Sequence, residues 1–334
     1  MSEPVLLSAE GLTVSFPGRA RLFAKPDVVR AVDGVDLTIK RGQTLGLVGE
    51  SGCGKSTTGY ALLRLNKGTG RVMFDGVDLM GLPPEKLRSM RRRIQIIFQD
   101  AAASLDPRMT IGDLIAEALD LHNLHTGDSR QPRVRELLEL VGIPQRFAER
   151  YPHELSGGQA QRIAICRALA VEPDLIICDE AVSALDVSIQ AQILNLLQHL
   201  QQRFGLSFLF ISHDLSVVRH ISHEVAVMYL GKIVEQAPTN LLFENPRHPY
   251  TKALLSAVPV PDPDLEKARE RVVLTGDLPN PANPPSGCRF RTRCPVAQAK
   301  CAETLPTLYE VEPQHSAACL FVQDEPDITT GVAA

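Results

Sequence analysis

One stretch, Gly49-Glu-Ser-Gly-Cys-Gly-Lys-Ser56, constrains this chain more than any other. It fits G-x-x-x-x-G-K-[ST], with Gly49, Gly54, Lys55 and Ser56 in the defining positions. Gln43–Val48 before it is expected as a buried strand. Lys55–Leu65 after it is expected as a helix, with Ala61, Leu62, Leu63 and Leu65 available to pack on a sheet. A strand, a glycine loop and a helix in this order make a phosphate cradle. Glycines let the backbone wrap tightly enough for successive N–H groups to face inward, and the helix aims its positive dipole end at the same point. Gly49, Ser51, Gly52, Cys53, Gly54 and Thr57 are therefore candidate phosphate-wrapping residues. Lys55 would reach terminal phosphates, and the Ser56 hydroxyl would face Mg²⁺.

Before the loop, residues 5–17 and 31–40 alternate apolar and polar positions, as half-exposed antiparallel strands do. A basic, irregular insert, Gly18 to Arg30, lies between them. Phe16 could stack on a base, or be an ordinary core residue at a strand end. Gly70–Leu79 is expected as strand–turn–strand, Arg88–Arg93 as a solvated basic face, and Ile94–Phe98 as a strand ending at Gln99. Helical patterns follow at Ile111–His122 and Val134–Val141, broken by Pro107, Gly127, Pro132 and Pro144. Ser156 is placed to cap a helix over Ala160–Ala170. Asp174-Leu-Ile-Ile-Cys-Asp179-Glu180 is an apolar strand ending in two acids, and an acid pair there suits metal contact and base catalysis better than a solvated turn. Ile189, Ile193, Leu196, Leu197 and Leu200 share one helical face. Leu206–Ile211 is a further buried strand, with His213 just past its end, and Glu224–Leu230 with Lys232–Glu235 complete a sheet edge. Strands alternating with helices, each followed by its polar motif, predict an α/β fold with a mainly parallel sheet and ligands at its C-terminal edge.

A formal net charge of −4 gives no global reason to expect nucleic acid. No apolar run reaches the ~18 residues of a membrane span, and Met1-Ser-Glu-Pro lacks the basic start of a signal peptide. A soluble cytoplasmic protein is expected. Four of the seven cysteines, Cys288, Cys294, Cys301 and Cys319, crowd a proline-rich tail that begins near Pro259.

Taken together, these elements resemble the ATP-binding subunits of ABC transporters over residues 5–320. Gly49–Ser56 matches Walker A, Gln99 the Q-loop, Leu155-Ser-Gly-Gly-Gln159 the signature, Leu175–Asp179 Walker B, Ser183–Asp186 the D-loop and His213 the switch histidine. Local phrases such as Asn245-Pro-Arg-His-Pro-Tyr-Thr-Lys-Ala-Leu-Leu-Ser-Ala257 are similar to the dipeptide/oligopeptide permease branch, most like its F-type subunit. The resemblance implies a P-loop NTPase fold with a RecA-like core, an antiparallel β-subdomain and a helical subdomain at about residues 100–165. It divides the chain into a nucleotide-binding domain, 1–258, and a small cysteine-rich region, 259–334. It further implies ATP hydrolysis driving peptide import, with Glu180 as general base, His213 on the γ-phosphate, and Mg²⁺ met by Ser56, Gln99 and Asp179. Ser156, Gly157, Gly158 and Gln159, with Asp186 nearby, would cap the nucleotide of a second ATP-binding subunit in a head-to-tail dimer. The F-type likeness favours a related, non-identical mate. Two membrane permease subunits and, indirectly, a solute-binding protein complete the expected assembly, peripheral to the cytoplasmic face of the inner membrane. Ala160 and Ala181 depart from the branch pattern without removing a catalytic atom.

The tail spacing C-x₅-C-x₆-C-x₁₇-C offers four soft ligands. The resemblance implies a [4Fe–4S] cluster; Zn²⁺ and free thiols are the alternatives. Other solutes of the same branch (nickel, opines, oligosaccharides) are a second functional reading. A soluble ABC ATPase acting on ribosomes or nucleic acid is a third, opposed by the single cassette and the lack of a long coiled-coil insertion.

Overall fold

Alternation does produce the expected antiparallel pair, Val5–Pro17 (β1) and Val28–Lys40 (β2), which buries Leu7, Leu12, Val14, Val35, Leu37 and Ile39. The computed structural model describes residues 4–18, 28–258, 274 and 276–322. Most of the basic insert, 19–27, lies outside the described residues, and its last residues, from Val28, belong to β2. Thr44–Val48 (β3) is buried throughout and runs through the glycine loop into Lys55–Leu62 (α1). The helix ends at Leu62 and not Leu65, because Arg64 turns to a positive φ of 52°. Its guanidinium donates to the carbonyls of Leu79 and Leu82 at 3.0 and 2.6 Å. Leu65 is consequently exposed instead of packed. Thr69–Phe74 (β4) and Val77–Asp78 (β5) complete a four-stranded antiparallel sheet, ordered β2-β1-β4-β5.

The basic run closes Pro84–Arg93 (α2), and its last three arginines do not form a solvated face. Arg91 donates to the carbonyls of Leu63 and Arg64, Arg92 to that of Val171, and Arg93 to both Asp75 and Asp174 at 2.6 Å. Arg88 is exposed as expected, but for Arg91, Arg92 and Arg93 the expectation failed because each finds an acceptor distant in sequence. Together they tie the antiparallel sheet to the larger layer behind it.

That layer begins with Ile94–Ile97 (β6). The helical insert follows as Ile111–Leu121 (α3), Arg130–Leu140 (α4) and Gly157–Leu169 (α5). Pro132 sits in the first turn of α4, where its missing N–H breaks no helical bond. Ile115, Leu119, Val134, Leu138, Ile163 and Cys166 all lie in one apolar core with less than a tenth of each exposed. The chain then alternates: Leu175–Asp179 (β7), Val187–Phe204 (α6), Ser207–Ser212 (β8), Leu215–Ile221 (α7), Glu224–Tyr229 (β9) and Lys232–Pro238 (β10). Thr239–Glu244 (α8) and Pro249–Ser256 (α9) follow, and then, in the tail, Lys300–Glu303 (α10), Tyr309–Glu312 (β11) and His315–Ala317 (β12).

The second sheet has eight strands in the order β11-β12-β10-β9-β3-β8-β7-β6. β9, β3, β8, β7 and β6 run parallel. β9 is therefore interior and not an edge, and the tail hairpin β11–β12 extends the sheet beyond β10. A buried carboxylate fastens it there. Glu235, fully buried, accepts the backbone N–H groups of Arg247 and His248 at 2.6 and 2.9 Å and meets His315 Nε2 at 2.7 Å. His315 Nδ1 in turn meets Glu312 at 3.0 Å. The parallel arrangement brings the ends of β3, β7 and β8 side by side, with Val48, Asp179, Ile211 and Ser212 in register.

Candidate active site

The loop leaving β3 can only be built from glycine at its corners. Gly49, Gly52 and Gly54 take φ of 152°, 78° and 111°. A Cβ at Gly49 would lie 2.2 Å from the Met228 carbonyl oxygen, and one at Gly54 2.2 Å from that of Ala31. No side chain caps α1, so its first N–H groups remain available to an anion. Lys55 is buried and its Nζ donates to the carbonyls of Gly49 and Glu50 at 2.8 and 3.0 Å. The Ser56 hydroxyl donates to Asp179 Oδ1 at 2.7 Å, and the Tyr60 hydroxyl to Oδ2 at 2.7 Å. Burial, and then the Asp179 carboxylate, push the Tyr60 hydroxyl well above its ordinary pKa, so it remains a donor. Sequence reasoning missed Tyr60, although it stands one helical turn after Ser56 on the same face.

Glu180 follows β7 in a left-handed conformation, φ 48°, with its N–H held by the Ile211 carbonyl at 3.0 Å. That bond aims the carboxylate at two residues from separate elements. Gln99 Nε2 donates to Oε2 at 3.0 Å, and His213 Nδ1 stands 3.2 Å from Oε1. The Glu180 side chain is mostly buried while that of His213 is half exposed. A carboxylate so placed can accept a proton from a water at the mouth of the loop. The Ser56–Asp179 pair presents two hard oxygen donors suited to Mg²⁺. Ser183 Oγ donates to the Glu180 carbonyl at 3.0 Å, and Asp186 begins α6 without a side-chain capping bond.

Ser156 caps α5 as expected, and reciprocally. Its hydroxyl accepts from Gln159 N at 3.4 Å while Gln159 Oε1 accepts from Ser156 N at 3.0 Å. Gly157 and Gly158 are the first two helical residues, and a Cβ at Gly158 would meet Ile189 Cγ2 at 2.6 Å. Among the described residues, Ser156–Gln159 makes no hydrogen bond to the glycine loop, Glu180 or His213. Ala160 and Ala181 are both buried. Phe16, at the end of β1 opposite Val29, is 40% exposed and so is not a core residue.

The four tail cysteines line one apolar pocket with Pro249, Phe290 and Phe321. None is in a disulfide. Burial raises the Cys288 thiol and pushes Cys294 up to about 11. Among the described residues, no three His, Cys, Asp or Glu side chains converge so as to hold a metal ion. A mononuclear zinc site needs that convergence, and the expected [4Fe–4S] cluster gains no support from it either. Also among the described residues, no helix is long and apolar enough to cross a membrane.

Comparison with known proteins follows the same lines. The family described as ABC transporter matches residues 32–183, and the one described as oligopeptide/dipeptide transporter, C-terminal region, matches residues 234–301. The oligopeptide transport ATP-binding protein AppF of Bacillus subtilis is 54% identical, covering 95% of this chain and 98% of its own length. The chain belongs to the ATP-binding subunits of ABC transporters, in the oligopeptide/dipeptide branch. OppF of Escherichia coli, another oligopeptide transport ATP-binding protein of this branch, is also 54% identical, over 95% of this chain and 96% of OppF. Among solved structures, the ATP-binding cassette MJ0796, a dimer in a post-hydrolysis state bound to ADP and Pi, superposes with a TM-score of 0.63. It is 28% identical and covers 70% of this chain and 99% of its own. As a member of this family the chain is an ATP-hydrolysing transport cassette.

Proposed function

We propose that this ABC subunit powers the import of peptides, and that Gln99, Glu180 and His213 beside the Ser56–Asp179 pair form its hydrolytic centre. The convergence of two side chains on the Glu180 carboxylate carries this reading. Phe16 stacks on the adenine, and Gly49, Ser51, Gly52, Cys53, Gly54 and Thr57 wrap the phosphates. Lys55 leaves the carbonyls of Gly49 and Glu50 for the β- and γ-phosphates. Ser56, Gln99 and Asp179 hold Mg²⁺, which when bound neutralises phosphate charge. Glu180 takes a proton from the attacking water, while His213 donates to the γ-phosphate and keeps Glu180 in place.

Ser156, Gly157, Gly158 and Gln159, with Asp186 beside them, cap the nucleotide held by a second, related ATP-binding subunit. Hydrolysis then removes the phosphate that links the two. The pair acts on two membrane permease subunits from the cytoplasmic face, and a solute-binding protein delivers the peptide. High identity to oligopeptide transport ATP-binding proteins over nearly the whole chain supports peptide as the cargo. Co-purification with permease subunits, followed by peptide-stimulated ATP hydrolysis in the assembled complex, tests this. Stimulation by nickel, an opine or an oligosaccharide and not by peptide would reassign the solute.

For the 259–334 region we propose that Cys288, Cys294, Cys301 and Cys319 hold a [4Fe–4S] cluster that orders the tail. Each cysteine of such a cluster binds a different iron, so the four thiols need share a pocket and not a point. Anaerobic protein should absorb broadly near ~400 nm, a feature lost in Cys294→Ser. Colourless protein, with zinc or with no metal, would refute it.

A further inference from the structure

The cysteine-rich tail reaches the nucleotide loop directly. Arg293, the residue before Cys294, points Nη1 at both carboxylate oxygens of Glu50, at 3.0 and 2.8 Å. Its side chain is 10% exposed, so solvent screens this pair little. Glu50 is the first residue of the loop after Gly49. Its N–H donates to the Tyr250 hydroxyl at 2.9 Å, and its carbonyl holds Lys55 Nζ at 3.0 Å. Its carbonyl also accepts the Cys53 N–H at 3.3 Å. Every polar group of Glu50 is thus engaged, and two of these four partners, Tyr250 and Arg293, lie beyond residue 240. The supports of those partners are themselves fixed. Tyr229, Tyr250 and Phe290 pack with ring centroids 4.7 to 5.3 Å apart. The Arg293 N–H is held by the Phe290 carbonyl at 2.9 Å, and the Tyr250 N–H by His248 Nδ1 at 3.1 Å.

We propose that Arg293 and Tyr250 are positioning residues for the nucleotide loop, set by the cysteine-rich tail and acting through Glu50. They touch no reacting atom. By clamping the Glu50 peptide they fix the carbonyl on which Lys55 rests and the entry to the phosphate cradle, so the loop is pre-shaped before nucleotide arrives. Without the clamp, the loop must be ordered by the nucleotide itself, and that cost falls on binding and not on the chemical step. Nucleotide affinity is then coupled to the integrity of a segment far outside the Walker motifs.

The test is kinetic, on the full chain in its assembled complex, with affinity for a fluorescent ATP analogue measured alongside on the purified chain. Arg293→Gln should raise KM for ATP about tenfold, the order expected for a lost charge-assisted hydrogen bond, with kcat changed by less than about twofold. Arg293→Lys should recover most of the affinity, since one Nη1 serves both oxygens. Glu50→Gln should reproduce the defect, and the double variant should be no worse than either single one. Arg291, whose guanidinium among the described residues bonds only to Ser286, is the control, and Arg291→Gln should leave KM alone. Unchanged KM in Arg293→Gln overturns the proposal, as does a double variant whose losses add. Should Arg293→Gln not accumulate as folded protein, Glu50→Gln reads the same contact, and an unchanged KM there is equally decisive.

Discussion

Replacing Glu180 by Gln isolates the proton acceptor from everything else at the site. The side chain keeps its length, its buried seat and the N–H bond to Ile211, so folding should be untouched. Its neighbours can adapt as well. The new amide oxygen can still accept from Gln99, now at 3.0 Å from the carboxylate, and its NH₂ can face a neutral His213 ring nitrogen. What disappears is the basic oxygen that the proposed mechanism sets against the attacking water. A general base contributes ~10²–10⁴ in rate, or about 3–5 kcal/mol of barrier. Single-turnover hydrolysis of radiolabelled ATP should therefore slow by that factor while ATP affinity stays within about twofold. Hydrolysis at the wild-type rate would remove Glu180 from the role of base. A loss of ATP binding as large as the loss of rate would show instead that the carboxylate holds the ground state.

Two other expectations rest on separate features. Phe16→Ala should weaken ATP binding about tenfold, as loss of base stacking does, without affecting thermal stability; unchanged affinity would leave the exposed ring without a nucleotide role. His248 is fully buried, and burial pushes its ring pKa down to about 4, against 6.5 when unfolded. Between those values the unfolded chain binds more protons than the folded one, so stability falls as pH falls from about 6.5 to 4, by up to about 3 kcal/mol, and levels off below. His248→Asn, which can still cap α9, should flatten that part of a denaturation-versus-pH curve; an unaltered slope would assign the acid sensitivity to other groups.

The glycine loop, the Ser156 cap and the acid pair at the end of β7 were legible because each is encoded within about one helical turn or strand of sequence. Glycine at Gly49 and Gly54 has a local cause in φ, and the Ser156–Gln159 reciprocal cap is a short-range pattern. Order along the sheet was not legible. β9 belongs between β3 and β10 because parallel pairing places it there, and nothing in Glu224–Tyr229 itself distinguishes an inner strand from an edge. Arg91, Arg92 and Arg93 of α2 failed for the same reason, since their acceptors at Leu63, Val171 and Asp174 become neighbours only after the two sheets meet. Leu65 was lost to one left-handed residue, Arg64, whose side chain bonds across the helix end. The Glu50–Arg293 contact joins residues 243 positions apart in the chain, and no periodicity in either segment announces it.

Association of this chain with the proposed second ATP-binding subunit, followed by sedimentation with and without MgATP in a Glu180→Gln background, tests the shared-nucleotide arrangement most directly. ATP should drive the two together, and Ser156→Arg should abolish that association while this chain still binds ATP at its own loop. Association that survives Ser156→Arg, or that never depends on ATP, would contradict a nucleotide held between the Lys55 loop of one subunit and the α5 tip of the other.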